Sequence, residues 1–231
     1  GEYDIKISGT FPLIRYNNNS EGNKIIEIKN WGIIEWTSFF NSFKGCVNLD
    51  LTATDYPDLT NCTSLYSMFS GCSSLENING SIGSWDTSTI TNIFGIFKNC
   101  SSFNQSVNNW DVSNVTSFGS NALGVFDGCT SFNQPLNNWD VSNGTSFVQM
   151  FRNCTAFNQD LSNWDVSKAT SFAAMFQNAT SFNNGGQSGI SNWNVEKVTN
   201  MFRLFRGAAS FNQNLSSWNL NTSSFNASEM F

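Results

Sequence analysis

Carboxylate, amide and hydroxyl side chains recur around a tryptophan that returns at near-regular intervals along the chain. With each Trp counted as position 0, an amide or Ser occupies −1, Asp or Asn occupies +1, and mostly Ser occupies +3. Side by side on a rigid surface, such groups can hydrogen-bond a sugar or the polar groups of a protein ligand. We therefore predict a candidate binding face formed by Asn109, Asp111, Ser113, Asn138, Asp140, Ser142, Asn163, Asp165, Ser167, Asn192, Asn194 and Glu196, extended on one side by Ser84, Asp86 and Ser88 and on the other by Ser217, Asn219 and Asn221.

The four aspartates at +1 allow two further interpretations. Asp and Ser side chains that flank a short strand also bond the local backbone and end the strand. Carboxylates stacked at strand spacing repel one another unless they are hydrated, counter-charged or hydrogen-bonded, and a shared Ca²⁺ would remove that repulsion. Local turn formation, ligand binding and Ca²⁺ binding therefore all remain open for Asp86, Asp111, Asp140 and Asp165.

Catalysis is disfavoured because the sequence contains no histidine. This absence excludes Ser-His-Asp and Cys-His nucleophiles, His-based acid or base chemistry and His-ligated metals. We predict that the chain is not an enzyme and that it needs no cofactor. A net charge of −6 with only 11 Lys and Arg residues also argues against a nucleic-acid partner. No apolar stretch approaches the roughly 20 residues of a membrane span.

The six cysteines leave their redox state open. Five share position +15 and would stack in one column, where a disulfide is geometrically conceivable. Ala replaces Cys there twice, at Ala179 and Ala208, which is typical of a small buried side chain. Reduced core cysteines, one or two disulfides and thiolate metal ligation are the three possibilities for Cys46, Cys62, Cys72, Cys100, Cys129 and Cys154.

Internal repeats of 25 to 29 residues organise the chain. The tryptophans are followed by recurring text such as NNWDVSNVTSF and SNWDVSKATSF, and the spacings of 25 and 29 differ by four-residue insertions between Phe118 and Val125 and after Phe182. Two earlier units begin at Trp31 and Pro57, so that eight units result, the last incomplete. The recurring tryptophans are Trp85, Trp110, Trp139, Trp164, Trp193 and Trp218.

The pattern within each unit predicts which elements position the binding face. Apolar residues at 0 and +2 indicate a short strand. Thr at +6 resembles a helix N-cap, and apolar residues at +8, +11 and +12 form the stripe of a short amphipathic helix. Gly or Asn at +14 is suited to a left-handed residue that ends it. We also expect the Asn after the +18 Phe to bridge backbone groups of adjacent coils, at Asn104, Asn133, Asn158, Asn183 and Asn212.

A single unit cannot bury its own aromatic residues, so the units must stack. We predict an α/β repeat solenoid over residues 29–231, with one short parallel strand and one short helix per repeat. Residues 1–28 are predicted to form a strand pair that caps it, with Tyr3, Ile5 and Ile7 in one strand and a turn at Asn17–Ser20. At the other end, Phe225, Met230 and Phe231 begin a helix that is not completed, which predicts a continuing chain or a partner packed there.

The repeated text WDVSNVTSF…MFRNCTAFNQDLSNW resembles the BspA-like leucine-rich-repeat surface proteins, in the variant found in mycoplasma-type lipoproteins. The opening IKISGTFPLI…NWGIIEWTSFFNSFKGC resembles the lead-in of Bacteroidetes-type secreted members. The resemblance covers essentially the whole chain and implies a right-handed, leucine-rich-repeat-like coil at the cell surface or secreted, with adhesion or matrix binding and no catalytic residues. The sequence departs from the repeat at Pro57, Gly144, Ala179 and Ala208.

These observations predict a non-catalytic extracellular or surface module, an adhesin or ligand-binding scaffold for a protein or glycan within a larger secreted protein. The insertions near Ser120-Asn121-Ala122 and Gly185-Gly186-Gln187 are further candidate binding elements. Two alternatives are a structural spacer whose C-terminal edge docks on further repeats, and the carbohydrate-recognition part of a larger enzyme.

Overall fold

The computed structural model describes residues 4–7, 13–16, 20–76, 81–220 and 225–231. Within these ranges the regular elements are short. Strand β1 (Glu27–Ile28) pairs in parallel with strand β2 (Asp50–Leu51), with Glu27 opposite Asp50. Turns make up much of the remaining chain. Four 3₁₀ helices complete the set, at Ser20–Lys24, Ser81–Ser84, Asn184–Gly186 and Ser188–Asn192.

Each repeat forms a coil that is hydrogen-bonded to the coils before and after it. The most regular contact lies at +7, where parallel bridges join successive repeats. On one side of this position the Thr145 N–H donates to the Thr116 carbonyl at 2.8 Å, and on the other the Phe147 N–H donates to the Ser171 carbonyl at 2.9 Å. Four bridges run in series through Ser117, Ser146, Ser171, Asn200 and Asn226.

Residues +8 to +14, which the sequence predicts as an amphipathic helix, form turns instead, and the described residues contain no α-helix. In the Trp139 coil, alternate N–H groups leave the coil: those of Gln149 and Phe151 donate to carbonyls of the next coil, each at 2.9 Å. The intervening Met150 N–H donates three residues back, to the Phe147 carbonyl at 3.2 Å. An α-helix needs every N–H for the carbonyl four residues earlier. Because alternate N–H groups donate to the neighbouring coil, the segment cannot form an α-helix. Its apolar residues, although spaced as in a helix, lie on linked turns.

Left-handed residues make these turns possible. The sequence predicts such a residue at +14, and this is confirmed: Asn153 has φ 60° and Gly128 has φ 80°. A second left-handed position, at +10, was not predicted; it includes Gln149 with φ 58° and Ala174 with φ 55°. Gln and Ala give no sequence signal for this conformation, which usually favours Gly or Asn.

The predicted role of Thr at +6 as a helix N-cap is wrong. The Thr145 hydroxyl donates to the Thr116 carbonyl at 2.9 Å, and the Thr170 hydroxyl donates to the Thr145 carbonyl at 3.0 Å. Thr therefore links coils. The strand predicted at 0 and +2 is also displaced, because turns occupy its flanks and the parallel bridges lie at +7. The burial alternation on which it rested is confirmed, since Trp110 and Val112 are buried while Asp111 is exposed.

Two columns of stacked phenylalanines fill the core. Rings of the first column, built mainly at +12, lie 5.6 to 6.2 Å apart from coil to coil, and those of the +18 column lie 5.9 to 6.1 Å apart. Within a coil the two rings are closer, as in Phe151 and Phe157 at 4.1 Å. Stacked aromatic pairs add to the free energy gained by burial. The first column comprises Phe43, Phe69, Phe97, Phe126, Phe151, Phe176, Phe205 and Phe231.

Each later Trp also fastens its coil to the preceding one. The Trp164 indole N–H donates to the Leu136 carbonyl at 3.0 Å, and the same carbonyl accepts the backbone N–H of Trp139 at 3.2 Å. Equivalent indole bonds are made by Trp110, Trp139, Trp193 and Trp218. The Trp85 indole N–H is buried without a hydrogen-bond partner.

The predicted Asn column is confirmed. The side-chain oxygen of Asn133 accepts the Asn158 N–H at 2.9 Å, and that of Asn158 accepts the Asn183 N–H at 2.8 Å. Gln in the following position joins the column, since Gln159 Nε2 donates to the Asn133 side chain at 2.8 Å. In the repeated Phe-Asn-Gln sequence, Phe thus supplies a buried ring, and Asn and Gln each form a hydrogen bond between neighbouring coils.

The N-terminal segment packs against the first tryptophan-containing coil. The Tyr16 N–H donates to the Ser42 carbonyl at 2.8 Å, and Ile25 and Ile28 contact the core. The described part of the predicted first strand is exposed: Ile5 is 72% and Ile7 37% accessible. Tyr3 and the turn residues Asn17–Asn19 lie outside the described residues. No helix in the described ranges is long and apolar enough to cross a bilayer.

Replacing Asn158 with Ala should lower the free energy of unfolding by about 1–2 kcal/mol. Its side-chain oxygen accepts two backbone amides, from Asn183 and from Gly185 at 2.9 Å. Urea denaturation measures the loss. Asn158→Asp, which keeps an acceptor oxygen, should recover most of it, and Asn163→Ala on the exposed surface should change stability by less than about 0.5 kcal/mol. Equal losses for the two alanine variants would contradict a linking role.

Replacing Trp164 with Phe should destabilise the protein by about 1 kcal/mol more than replacing Trp85 with Phe. Both substitutions remove similar apolar area, but only the Trp164 indole has a carbonyl partner. Thermal and urea unfolding of the two variants give the comparison. A loss at Trp85 as large as that at Trp164 would show that the indole bond contributes nothing.

Candidate functional site

The side chains of the predicted binding face, at −1, +1 and +3, form a row beside the buried tryptophans, which we call the comb. Its −1 and +1 side chains point to solvent in all four coils of the prediction, and Ser113, Ser142 and Ser167 at +3 are half-buried. Asn221, in the extension of the comb, lies outside the described residues. The exposed members are Asn109, Asp111, Asn138, Asp140, Asn163, Asp165, Asn192, Asn194 and Glu196.

The aspartates of the comb hold local turns. Asp111 Oδ1 accepts the Ser113 N–H at 2.9 Å and the Ser113 hydroxyl at 2.6 Å. Asp86 makes the same pair of bonds with Ser88, at 3.1 and 2.7 Å. In the Trp193 coil, Asn194 takes over the position and accepts the Glu196 N–H at 3.2 Å. The interpretation that these aspartates form local turns is therefore correct for one oxygen of each carboxylate. The side chains of the comb nevertheless remain exposed to solvent.

These hydrogen bonds also offset the repulsion between the aspartate carboxylates of successive coils. The Ser88 hydroxyl and amide donors lower the pKa of Asp86, and the corresponding donors lower the pKa values of Asp140 and Asp165. The neighbouring Asp165 raises the pKa of Asp140 only as a smaller effect. Hydrogen bonds to the charged form outweigh repulsion here, so the column does not need a shared cation.

Metal binding at the comb finds no geometric support. Among the described residues, no three Asp, Glu or Cys side chains converge in a way that could hold a metal ion. Ca²⁺ usually takes six or more oxygen ligands from groups that surround it. The aspartates are instead arranged in a row, one per coil, each turned toward its own Ser.

A groove interrupts the comb between the Trp110 and Trp139 coils. It has a volume of about 370 Å³ and combines amide, carboxylate and buried apolar groups. Its rim is fixed by links between the coils: Asn108 Nδ2 donates to Asn137 Oδ1 at 3.1 Å, and Asn108 Oδ1 accepts the Asn138 N–H at 3.0 Å. The lining residues are Asn108, Asn109, Trp110, Asp111, Val112, Asn138 and Asp140.

Charge along the comb changes from one end to the other. Lysine appears at +4 only in the later coils, where Lys168 Nζ donates to Asn143 Oδ1 at 2.7 Å and lowers the pKa of Asp165 as a secondary cause. The +1 residue then becomes neutral at Asn194. The groove thus lies in the more acidic part of the comb.

The two insertions are folded against the stack. In the first, the Ala122 carbonyl accepts Lys98 Nζ at 2.5 Å and the Asn121 carbonyl accepts Gln149 Nε2 at 3.1 Å. In the second, buried Asn184 accepts the Leu161 N–H at 2.8 Å. Exposed tips remain, comprising Asn121, Ala122, Gly185, Gly186 and Gln187.

The six cysteines are free and buried. Thiols of the +15 column donate to the carbonyl of a Phe in the preceding coil, as Cys154 does to Phe126 at 2.8 Å and Cys100 to Phe69 at 3.0 Å. Burial raises the pKa of Cys46 to about 11 and that of Cys154 well above the usual range. A thiol held in its protonated form is a poor nucleophile and a poor metal ligand.

A buried ion cluster was missed by sequence reasoning. Asp127, only 1% exposed, accepts Arg152 Nε at 2.8 Å and Nη2 at 2.7 Å, and Lys98 Nζ lies 3.6 Å from its Oδ2. Asp127 raises the pKa of Arg152 through these hydrogen bonds. The sequence does contain a signal for this cluster, because Lys98, Asp127 and Arg152 place alternating charges at position +13 of three consecutive coils. Their ion pairs link those coils.

Comparison with known proteins identifies the repeat. A family described as "Mycoplasma protein of unknown function, DUF285" matches residues 15–122, 120–188 and 186–231 in succession. The three matches together span most of the chain, which is therefore a repeat protein. No curated protein and no solved structure matches it.

Replacing Ser88 with Ala should raise the pKa of Asp86 toward the ordinary Asp value near 3.9, because the hydroxyl donor is its largest lowering influence. A carboxyl whose pKa is lowered on folding stabilises the protein above that ordinary value, and the contribution is lost as pH falls through the folded pKa. Carboxyl carbon shifts followed by NMR over acid pH measure the change. Ser88→Thr should keep the low value, and an unaltered titration in Ser88→Ala would contradict the assignment.

Proposed function

The chain belongs to the mycoplasma family of unknown function described as DUF285, and we propose that it is a surface-displayed repeat module that binds a ligand without catalysing a reaction. Its coils would form a right-handed, leucine-rich-repeat-like solenoid of the BspA type, secreted or exposed at the cell surface. Coil-to-coil hydrogen bonding at +7 and +12 and the phenylalanine columns support a solenoid. The repeat text supports the BspA type.

The observation that carries the binding proposal is the exposed comb with its groove. The Trp110, Trp139 and Trp164 coils each add one amide, one carboxylate and one hydroxyl, and the local Asp–Ser turns hold the carboxylates in place. A pre-organised set of polar groups loses little entropy when it binds. The groove between Asn109 and Asp140 also has a volume of about 370 Å³, which is sufficient for a side chain or a sugar unit.

The ligand class that fits this face is a protein segment or a glycan rich in hydroxyl or amide groups. Only one oxygen of each Asp is used by its local turn, and the side chains of Asn109 and Asn138 face solvent. Acceptors and donors therefore alternate along the face. Such mixed hydrogen-bonding capacity matches polar neutral ligands better than anions.

The absence of catalysis is proposed from the state of the reactive groups. The thiols are buried with raised pKa values, and the aspartates at the comb have lowered pKa values because Ser donors stabilise their charged form. A carboxylate with a lowered pKa is a weak base at neutral pH. Histidine, the most common acid–base residue, does not occur.

A structural spacer is the second candidate, favoured by one observation. Parallel bridges join successive coils in series through Ser117, Ser146, Ser171, Asn200 and Asn226. Such a continuous stack of hydrogen-bonded coils could set a distance between other parts of a protein without binding a ligand. A carbohydrate-recognition role within a larger enzyme would use the same comb, with catalysis outside these residues.

The binding proposal is tested by screening the intact chain against glycan arrays and extracellular matrix proteins. The double variant Asn109→Ala with Asn138→Ala should weaken any ligand found by about tenfold, because two hydrogen bonds are lost. Asp111→Asn with Asp140→Asn keeps the acceptors of the local turns and tests the charge. Asn23→Ala, an exposed amide outside the comb, is the control.

Circular dichroism and melting curves should be the same for all of these variants. The absence of any ligand in both screens, or affinity unchanged in the double alanine variant, would overturn the binding proposal and favour the spacer.

A further inference from the structure

A second outward column, at +9, is aromatic in the first three coils that follow the N-terminal segment. We define this aromatic strip as Phe40, Tyr66 and Phe94. Phe40 is 38% exposed, while Tyr66 and Phe94 are half-buried. The same position holds the smaller, buried side chains of Val148 and Ala173 in the Trp139 and Trp164 coils, and Phe202 in the Trp193 coil. Three aromatic residues in consecutive coils therefore occur only near the N-terminal segment, separate from the comb.

The ring of Phe40 has a partner on each face. Phe40 and Tyr66 stack with centroids 4.7 Å apart and planes 13° apart. On the N-terminal side of Phe40, the guanidinium carbon of Arg15 lies 5.1 Å from its ring centroid. Both faces of Phe40 are thus occupied, and the exposed 38% belongs to the ring edge. Phe40 covers one face of the Tyr66 ring, and the Phe94 ring lies 6.5 Å from Tyr66 with its plane tilted by 52°.

Edge exposure restricts what the strip can bind. A sugar or a nucleic-acid base stacks on a free ring face, and no such face is available on Phe40. Ring edges carry partial positive charge, so they attract carboxylates while also offering apolar surface. The strip therefore favours an anionic partner with apolar side chains.

Positive charge beside the strip strengthens this preference. Arg15 covers one end of it. Lys44 directly follows Phe43, whose ring stacks at 6.3 Å on that of Tyr16, the residue after Arg15. Neither makes an ion pair with any residue that the structure describes. Lys98, at +13 two coils later, is held by Asp127 instead. In a chain of net charge −6, two cations that pair with none of the described acidic residues form a local basic site.

We propose that the aromatic strip, with Arg15 and Lys44, docks an acidic segment of a partner protein in which Asp or Glu is interspersed with Leu or Phe. The apolar side chains pack on the ring edges, and the carboxylates pair with the two cations. A partly desolvated charge pair of this kind contributes to both affinity and orientation. This site is independent of the comb, and its ligand is acidic, whereas the ligands proposed for the comb are polar and neutral.

The test uses fluorescence anisotropy of a short labelled peptide containing Glu, Asp, Leu and Phe, titrated with the intact chain. Two matched peptides replace the acids by amides or the apolar residues by Ser. We expect the original peptide to bind at least tenfold more tightly than either, with affinity falling as salt rises.

Variants locate the site. Lys44→Glu reverses the charge of a half-buried residue outside the core and should weaken the peptide at least tenfold. Phe40→Ser should have a similar effect. Phe202→Ser is the control, since it changes the same +9 position in a distant coil where Arg203 covers the ring at 4.5 Å. The double comb variant of Asn109 and Asn138 should bind the peptide normally.

Three results would overturn the proposal. One is equal binding of the acidic and amide peptides, and another is full affinity in Lys44→Glu. The third is concentration-dependent self-association that is lost in Phe40→Ser, which would assign the strip to a second copy of the chain. A failure of glycan or matrix binding would leave these peptide results unaffected, because the two sites share no residue.

Discussion

The structure depends on hydrogen bonds between residues one repeat apart. Alternate backbone amides of a coil donate to the next coil, as Gln149 does to Ala173, and buried amides left without such partners would be costly. A coil is therefore completed only by its neighbour. The same requirement restricts which residues can link coils, because each linking residue must hydrogen-bond both the preceding coil and the following one.

This constraint accounts for the unusual composition, with 12% charged and 15% aromatic residues. A charged side chain placed at the same position of every coil meets its own copy and is repelled. Asn and Thr side chains avoid that cost because they both donate and accept, as when the Asn178 side-chain amide donates to the Asn153 side-chain oxygen. Phenylalanine tolerates its own copy because parallel rings pack well. The exceptions are informative: Asp at +1 is stabilised by Ser donors, and Asp127 is enclosed by opposite charges.

Residue pattern alone predicted what each position buries, but not where its backbone amides bond. The buried Trp and Phe columns, the Asn links and the left-handed residue at +14 followed from residue type and spacing. The helix at +8 to +12 did not form, because an apolar stripe of helical spacing is equally compatible with linked turns whose amides reach the next coil. Thr at +6 was assigned to a helix cap for the same reason. The exposure of the comb was predictable, whereas its groove arises from the packing of two particular coils.

The central claim, that backbone amides bond from coil to coil, is tested most directly by scalar couplings across hydrogen bonds in an isotope-labelled, deuterated sample. The account predicts a coupling between the Gln149 amide nitrogen and the Ala173 carbonyl carbon, and another between the Thr170 nitrogen and the Thr145 carbonyl carbon. A coupling from the Gln149 nitrogen to the Thr145 carbonyl, four residues earlier in the same coil, would establish an α-helix there and contradict it.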